Sequence, residues 1–190
     1  GMTSDMYSHW RYLIEDILGP IRRVVAATGT GVPERVDESG SRFTVDVDDS
    51  SMTLVELQNG AAGTIVSSWA TRVRGDDVLT LQVDGTGGSA VAGVHRCWTQ
   101  GSAETPAVQH INPDTDPRID YRAAWREVAG AASYSNPYRQ GWEEFLCHVA
   151  VGMPLRSDLR AGIRDVQLVE ACYRSVTEGK WIEIDGNASA

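Results

Sequence analysis

Residues 52–71 read MTLVELQNGAAGTIVSSWAT, which is two apolar runs joined by an Asn-Gly pair. Asn59 and Gly60 both tolerate the positive φ angles of a tight turn, so this pair favours a β-hairpin. We therefore predict one strand from Met52 to Gln58 and a returning strand from Ala62 to Thr71. Strands joined by so short a turn are antiparallel.

Further β-rich runs flank this hairpin on both sides. They predict strands at Ile21–Thr28, Arg42–Asp46, Val78–Val83, Ala90–Val94, Trp125–Val128 and Trp181–Ile184. Residues 29–41 are polar and residues 99–120 are rich in Pro, Asp, Gly and Thr, so both stretches predict loops.

Three stretches have the apolar spacing of amphipathic helices, at residues 5–18, at residues 138–151 and beyond Asp158. Gly19-Pro20 ends the first helix, Pro154 follows the second, and Asp158 is a favoured N-cap for the third. We expect the stripes of the first and third helices to be buried. The three stripes are Met6, Trp10, Leu13, Ile14 and Ile17; then Trp142, Phe145, Leu146, Val149, Ala150 and Met153; then Leu159, Ile163, Val166, Val169, Tyr173 and Val176.

The elements follow the order helix, several strands with hairpins, two helices and a final strand. This order predicts an α+β fold, in which helices cover one face of an open, mainly antiparallel β-sheet. We assign residues 1–185 to one domain and residues 186–190 to a tail.

The chain has 190 residues and a net charge of −9. This charge disfavours a nucleic-acid partner, because binding the phosphate backbone requires cations. No apolar stretch approaches the roughly 20 residues that span a bilayer, so no membrane contact is expected. Cys97, Cys147 and Cys172 are widely spaced, which favours free thiols in the cytoplasm over disulfides and predicts no metal site.

Asp5 and His9 are four residues apart in the first predicted helix, a spacing that places both side chains on one face, roughly 6 Å apart. A carboxylate accepts the N–H of one imidazole nitrogen and leaves the other nitrogen to exchange a proton with a substrate. The ordinary histidine pKa of about 6.5 suits transfer in both directions. The alternative is an aspartate that stabilises the helix N-terminus beside an exposed polar histidine.

The order of the motifs resembles the C-terminal domain of the Gfo/Idh/MocA oxidoreductases, relatives of glucose–fructose oxidoreductase and inositol dehydrogenase. The stretch from Asp5 to Gly19 resembles the D-x-x-x-H helix that opens this domain. The resemblance continues in the family's order through Asp49 before a strand, the hairpin Leu54–Trp69, the turn Asp84–Ser89, and the closing helices at 140–146 and 158–171 with Ser175.

The resemblance implies the substrate-binding and oligomerising domain of a larger NAD(P)-dependent oxidoreductase, with the fold of the glyceraldehyde-3-phosphate dehydrogenase C-terminal domain. His9 would take a proton from a substrate hydroxyl while hydride leaves the same carbon for the nicotinamide, or return it in reduction. Asp5 would orient the imidazole ring. The substrate would be a sugar, a polyol or a related hydroxy or keto compound.

The expected partners are the protein's own N-terminal Rossmann domain and a second copy of the chain. The second copy would pack on the free sheet face, in a homodimer or a higher homo-oligomer. The alternative function is a redox-silent binding or scaffolding module that retains the same fold.

The family's Glu-Lys-Pro motif is absent from this chain, and its dinucleotide loop belongs to the same missing half. Gly85–Ala90 formally fits G-x-G-x-x-A, but the residues after it are too few and too β-branched for the required helix, so we predict a turn. NAD or NADP is therefore expected only in the full-length protein. This chain alone should neither bind the dinucleotide tightly nor turn over.

Polar side chains beside His9 and before the second helix are candidates for substrate contacts. They are Tyr7, Trp10 and Arg11 in the first group, and Asn136, Tyr138 and Arg139 in the second. Ordinary packing and capping roles are the alternative for each of them.

Overall fold

The computed structural model describes residues 1–73, 77–107, 114, 119–130 and 136–184. They form two compact units. The first contains residues 1–71 with the described residues from 142 onward, and the second contains the described residues between 72 and 141. The predicted tail at 186–190 lies outside the described residues.

The chain folds into antiparallel sheets with three helices, which confirms the α+β class. In chain order the elements are α1 (Met2–Leu18), β1 (Ile21–Gly29), β2 (Glu34–Val36), β3 (Arg42–Thr44), β4 (Ser50–Leu57), β5 (Ala62–Ser68), β6 (Leu81–Gly85), β7 (Gly88–Ala92), β8 (Cys97–Gly101), β9 (Arg126–Glu127), α2 (Pro137–Val151), α3 (Leu159–Glu178) and β10 (Ile182–Glu183). None of the helices in the described part of the chain has the length and apolar character that crossing a bilayer requires.

The sheet of the first unit has the order β10-β1-β4-β5, and every neighbouring pair is antiparallel. β4 and β5 are the predicted hairpin, and Gly60 in its turn has a φ of 86°. β2 and β3 form a separate hairpin. The expected single sheet is thus divided, because a second four-stranded sheet, β6-β7-β8-β9, lies in the second unit.

Within the described part of the chain, only one face of the first sheet is covered. Along β4, Thr53 and Val55 are buried while Met52 and Leu54 are exposed, because successive side chains of a strand point to opposite faces. α1 and α3 pack on the buried face. The apolar core between them consists of Tyr7, Ile21, Val24, Val55, Leu57, Ile65, Leu168, Ala171, Cys172 and Ile182.

The predicted stripe of α1 is confirmed only in part: Trp10 and Ile14 pack against the core, but the most buried residues of the helix are others. Ile17 is 55% exposed, whereas Thr3, Tyr7 and Arg11 are at most 2% exposed. The Tyr7 hydroxyl lies 2.7 Å from both Ser51 Oγ and Thr53 Oγ1 on β4. Polar residues occupy this face because each finds a partner there, which hydropathy alone does not predict.

We expect Tyr7→Phe to lower the free energy of unfolding by about 1–2 kcal/mol, because two buried hydroxyls lose a partner. Tyr12→Phe on the same helix is the control, since Tyr12 is only half-buried. Urea unfolding followed by circular dichroism measures both variants. Equal stability of Tyr7→Phe and the wild type would show that this hydroxyl cluster contributes nothing.

The prediction for the inner face of α3 is correct for Val169, which packs against the core, but wrong for the most buried positions. Ala161, Leu168, Ala171, Cys172 and Ser175 face the core. Small residues bring α3 close to β1, where the Ser175 hydroxyl accepts a 3.0 Å hydrogen bond from the Ala26 N–H. The larger apolar residues at the start of α3 point outward, namely Leu159, Ile163 and Val166, which are 89%, 50% and 66% exposed.

The predicted turn at Gly85–Ala90 is confirmed. Gly85 pairs with Gly88 across a two-residue turn, and β7 continues directly into an antiparallel pairing with β8. Gly88 has a φ of 150°, and a Cβ there would collide with the Gln100 carbonyl oxygen. The last three residues of β8 fall in the stretch predicted to be a loop, because the sequence CWTQG has no apolar alternation.

Asp49 closes the loop between β1 and β2 from a fully buried position. Its carboxylate accepts 2.8 Å hydrogen bonds from the Gly31 and Val32 N–H groups and one of 3.2 Å from Arg35. The two backbone hydrogen bonds hold the pKa of Asp49 below its ordinary value. The Asp49 carboxylate therefore holds the backbone of this loop in place.

Candidate active site

Asp5 and His9 are both exposed on the side of α1 that faces away from the sheet. Tyr7 and Arg11 bury the opposite side. Among the described residues, no hydrogen bond or ion pair involves the side chain of Asp5 or His9. Both groups are thus open to a ligand from outside the unit.

Asp48 anchors the first turn of α1. Its carboxylate accepts 2.8 Å hydrogen bonds from the Thr3 N–H and the Thr3 hydroxyl, and one of 2.7 Å from the Tyr173 hydroxyl. Its backbone oxygen accepts the Met2 N–H at 2.8 Å. Burial acts to raise the pKa of Asp48, but these hydrogen bonds outweigh it and lower the pKa. Asp48 therefore fixes the helix end that carries Asp5.

We expect the contribution of Asp48 to stability to depend on pH. Because its folded pKa lies below the unfolded value of about 3.9, the contribution is complete above that pH and is lost as the pH falls through the folded pKa. Asp48→Asn should cost about 1 kcal/mol at pH 7, as loss of an N-cap does, and less below pH 4. Urea unfolding between pH 2.5 and 7, with exposed Asp46→Asn as control, measures this; a pH-independent deficit would contradict it.

The C-terminal half of α1 is also held by directed hydrogen bonds. Trp10 Nε1 donates to Ser67 Oγ at 3.0 Å, and Asn59 Nδ2 donates to the Leu18 carbonyl oxygen at 2.9 Å. The turn of the β4–β5 hairpin therefore caps the helix that carries His9. With Asp48 at the other end, these contacts fix the rotation of α1 and the outward direction of Asp5 and His9.

Three further candidates on α1 are Tyr7, Trp10 and Arg11, and each makes contacts within the first unit. The polar atoms of Tyr7 and Trp10 form hydrogen bonds with β4 and β5. Arg11 donates from Nε to Asp165, from Nη1 to Glu15 at 2.7 Å and from Nη2 to the Ala161 carbonyl at 3.2 Å. Substrate binding by Tyr7, Trp10 and Arg11 stays a prediction.

Asn136, Tyr138 and Arg139 are exposed at the start of α2, in the second unit, whereas Asp5 and His9 belong to the first. The Asn136 side chain accepts hydrogen bonds from the N–H groups of Tyr138 and Arg139, at 3.0 and 3.3 Å. Asn136 thus caps α2. Substrate binding by these three residues stays a prediction.

No part of the described chain offers a metal or dinucleotide site. Within those residues, no group of three or more His, Cys, Asp or Glu side chains is arranged to hold a metal ion. The glycine-rich stretch Gly85–Ala90 is a strand-to-strand turn without the helix N-terminus that binds a pyrophosphate. Gly85–Ala90 therefore does not fit the pyrophosphate of NAD(P).

Sequence comparison identifies the family of the chain. Residues 1–184 match the profile of the Gfo/Idh/MocA family described as "Oxidoreductase family, C-terminal alpha/beta domain". The chain belongs to the Gfo/Idh/MocA family.

Two curated Gfo/Idh/MocA relatives match almost the whole chain. A D-xylose dehydrogenase of Paenarthrobacter nicotinovorans is 41% identical over 188 residues, which are 97% of this chain and 48% of the relative. A levoglucosan dehydrogenase of Pseudarthrobacter phenanthrenivorans is 28% identical over 97% of this chain and 52% of the relative. The chain thus spans about half the length of the curated relatives it matches.

Solved Gfo/Idh/MocA structures share the fold. Levoglucosan dehydrogenase in complex with NADH and L-sorbose has a TM-score of 0.75 at 20% identity, covering 97% of this chain and 50% of that one. An oxidoreductase domain protein from Kribbella flavida has a TM-score of 0.72 at 21% identity, with coverages of 97% and 50%.

Proposed function

We propose that this chain is the substrate-side half of an NAD(P)-dependent dehydrogenase acting on a sugar, a polyol or a related hydroxy or keto compound. The observation that carries the proposal is the exposed Asp5 and His9 pair on a helix whose other side is fixed by hydrogen bonds. The D-xylose dehydrogenase relative supports the substrate class. The free cysteines support a cytoplasmic location.

In this proposal His9 moves the proton and Asp5 orients the imidazole. Oxidation of a secondary alcohol removes a proton from oxygen and a hydride from carbon, and a carbonyl group forms. His9 accepts the proton through one ring nitrogen, while Asp5 accepts the N–H of the other and stabilises the charged ring. A nicotinamide held by the other half of the protein would accept the hydride.

Comparing the activity of the protein extended by its upstream half with that of the 190-residue chain tests the proposal. The protein extended by its upstream half should oxidise D-xylose or a related sugar with NAD or NADP, and the 190-residue chain should show no turnover and no tight dinucleotide binding. Absorbance at 340 nm follows the nicotinamide. A folded extended protein without turnover on a panel of sugars and polyols would favour the redox-silent module.

The open face of the first sheet supports a second copy of the chain as a partner. Met52 on β4 pairs with Val66 on β5, and these side chains are 64% and 69% exposed beside half-exposed Leu54. A contiguous apolar row of this kind on a sheet face favours a protein interface. Light scattering should show a dimer or larger assembly that Val66→Lys dissociates, and a monomer at high concentration would contradict this.

A further inference from the structure

The first turn of α1 is held by a series of hydrogen bonds that ends on α3. The Tyr173 hydroxyl lies 2.7 Å from Asp48 Oδ1 and 3.1 Å from Ser4 Oγ. The other oxygen of the Asp48 carboxylate accepts both the backbone N–H and the hydroxyl of Thr3, each at 2.8 Å. Tyr173 therefore connects α3 to the start of α1, directly through Ser4 and indirectly through Asp48.

The direction of these hydrogen bonds follows from the protonation of Tyr173 and Asp48. Burial raises the pKa of Tyr173 and the Asp48 carboxylate adds to the rise, so the hydroxyl keeps its proton at neutral pH. Against the effect of burial, hydrogen bonds lower the pKa of Asp48, so its carboxylate is ionised and can only accept. Tyr173 therefore donates to Asp48, and Ser4 donates to Tyr173. A hydrogen bond to an ionised acceptor is stronger than one between neutral groups.

Asp5 follows Ser4 directly in this first turn. Its backbone N–H donates to the Gly1 carbonyl oxygen at 3.1 Å. Its side chain is exposed, and no hydrogen bond or ion pair holds that side chain within the described residues. The direction of the Asp5 carboxylate is therefore set by the backbone of the turn that Tyr173 helps to hold.

His9 is held separately from Asp5. The next residue, Trp10, donates from its indole N–H to Ser67 Oγ on β5 at 3.0 Å. This contact fixes the helix at His9 without the first turn. Loosening the first turn would therefore move the Asp5 carboxylate relative to the His9 imidazole.

We propose that Tyr173 is a positioning residue for the candidate catalytic pair, because it holds the first turn of α1 where the Asp5 carboxylate reaches the His9 imidazole. This inference rests on the proposed function. In this role Tyr173 acts through Asp5 and does not contact the substrate. A misplacement of about 1 Å can lower a rate by about 10²-fold, so a contact that fixes one helix turn affects the rate of a reaction that depends on it.

Tyr173→Phe in the full-length protein removes the hydroxyl and keeps the ring. We expect kcat to fall about tenfold, less than a full misplacement costs, because Thr3 keeps both hydrogen bonds to Asp48. The KM values for the sugar and for the dinucleotide should stay unchanged, since the variant removes no group that binds either. Steady-state kinetics measures these quantities, and wild-type kcat in Tyr173→Phe would overturn the proposal.

Ser175→Ala is the matched control, because it removes a hydroxyl from the same end of α3 that points to β1 instead of α1. This hydroxyl accepts a hydrogen bond from the Ala26 N–H at 3.0 Å and donates to the Lys180 carbonyl oxygen at 2.7 Å. Since Ser175 is 1% exposed, Ser175→Ala should lower the thermal midpoint at least as much as Tyr173→Phe and leave kcat unchanged. Equal loss of kcat in the two variants would overturn the proposal, because kcat would then follow stability.

A double-mutant cycle with Asp5→Asn shows whether Tyr173 acts through Asp5. Once the carboxylate is gone, its position no longer matters, so Tyr173→Phe should change kcat less than about twofold in the Asp5→Asn background. Two independent effects would multiply instead. The same loss of kcat in both backgrounds would overturn the proposal.

Hydrogen exchange of the Thr3 and Asp5 amides in the full-length protein separates this inference from the proposed function. Both amides are hydrogen-bonded, and they should exchange about tenfold faster in Tyr173→Phe but not in Ser175→Ala, because losing the contact favours local opening. Wild-type exchange in Tyr173→Phe would refute the positioning role whether or not the protein turns over. A wild-type protein without turnover would refute the proposed reaction, while faster exchange in Tyr173→Phe would still support the hold of Tyr173 on the first turn.

Discussion

His9→Ala in the full-length protein is expected to lower kcat by about 10² to 10⁴, the usual contribution of a general acid or base. The affinity for NAD or NADP should stay the same, because in the proposed function the other half of the protein holds the dinucleotide. Stability should also stay the same, since His9 is exposed on α1. Steady-state kinetics, dinucleotide titration and thermal unfolding measure the three quantities.

Variants at Ser8 and Asp5 show whether the loss of kcat is specific to His9. Ser8→Ala changes the adjacent residue of α1 and should leave kcat unchanged. Asp5→Asn should lower kcat less than His9→Ala does, because the amide keeps the shape of the carboxylate but does not stabilise a charged imidazole. Wild-type turnover in His9→Ala would remove His9 from the mechanism.

Arg11→Met should lower the free energy of unfolding by about 3 kcal/mol, the lower end of what breaking a buried ion pair costs. The Arg11 side chain is 2% exposed, and its partners Glu15 and Asp165 are 12% and 18% exposed. The variant leaves both carboxylates without this guanidinium. Glu15 keeps the Ile21 N–H at 3.1 Å, so the loss stays near the lower end. Urea unfolding at pH 7 measures it.

A control variant shows whether the Arg11→Met deficit comes from the buried ion pairs. Arg164→Met is the control, because Arg164 is half-exposed and its Nη1 lies 3.8 Å from Glu15, and it should cost less than about 1 kcal/mol. In the full-length protein, a raised KM with unchanged stability in Arg11→Met would instead support the predicted substrate contact.

Apolar spacing predicts that α1, α2 and α3 exist and roughly where each ends, because it depends on local sequence. It does not predict which sides of α1 and α3 are buried. Arg11 is buried because it meets Asp165, which is 154 residues away in the sequence, and no local pattern contains that pairing. On α3, small residues such as Ala161 and Ala171 face the sheet because they allow close approach, although larger side chains stand on the other side.

The candidate site is predictable only in part, for the same reason. Four-residue spacing on a helix places Asp5 and His9 on one side, and the structure leaves both exposed. The contacts that hold the helix come from distant segments. Asp48 reaches Thr3 and Tyr173, and the acidic run from Asp46 to Asp49 carries no local signal of that role.

Asp48 and Asp49 are adjacent, yet their carboxylates serve different parts of the first unit: Asp48 holds α1 and Tyr173, and Asp49 holds the loop after β1. The two residues are adjacent and each is held by contacts to a different segment. Inserting or deleting one residue at the pair would therefore displace at least one carboxylate from its partners. The connection between β3 and β4 should therefore accept many substitutions while its length stays constant among homologues.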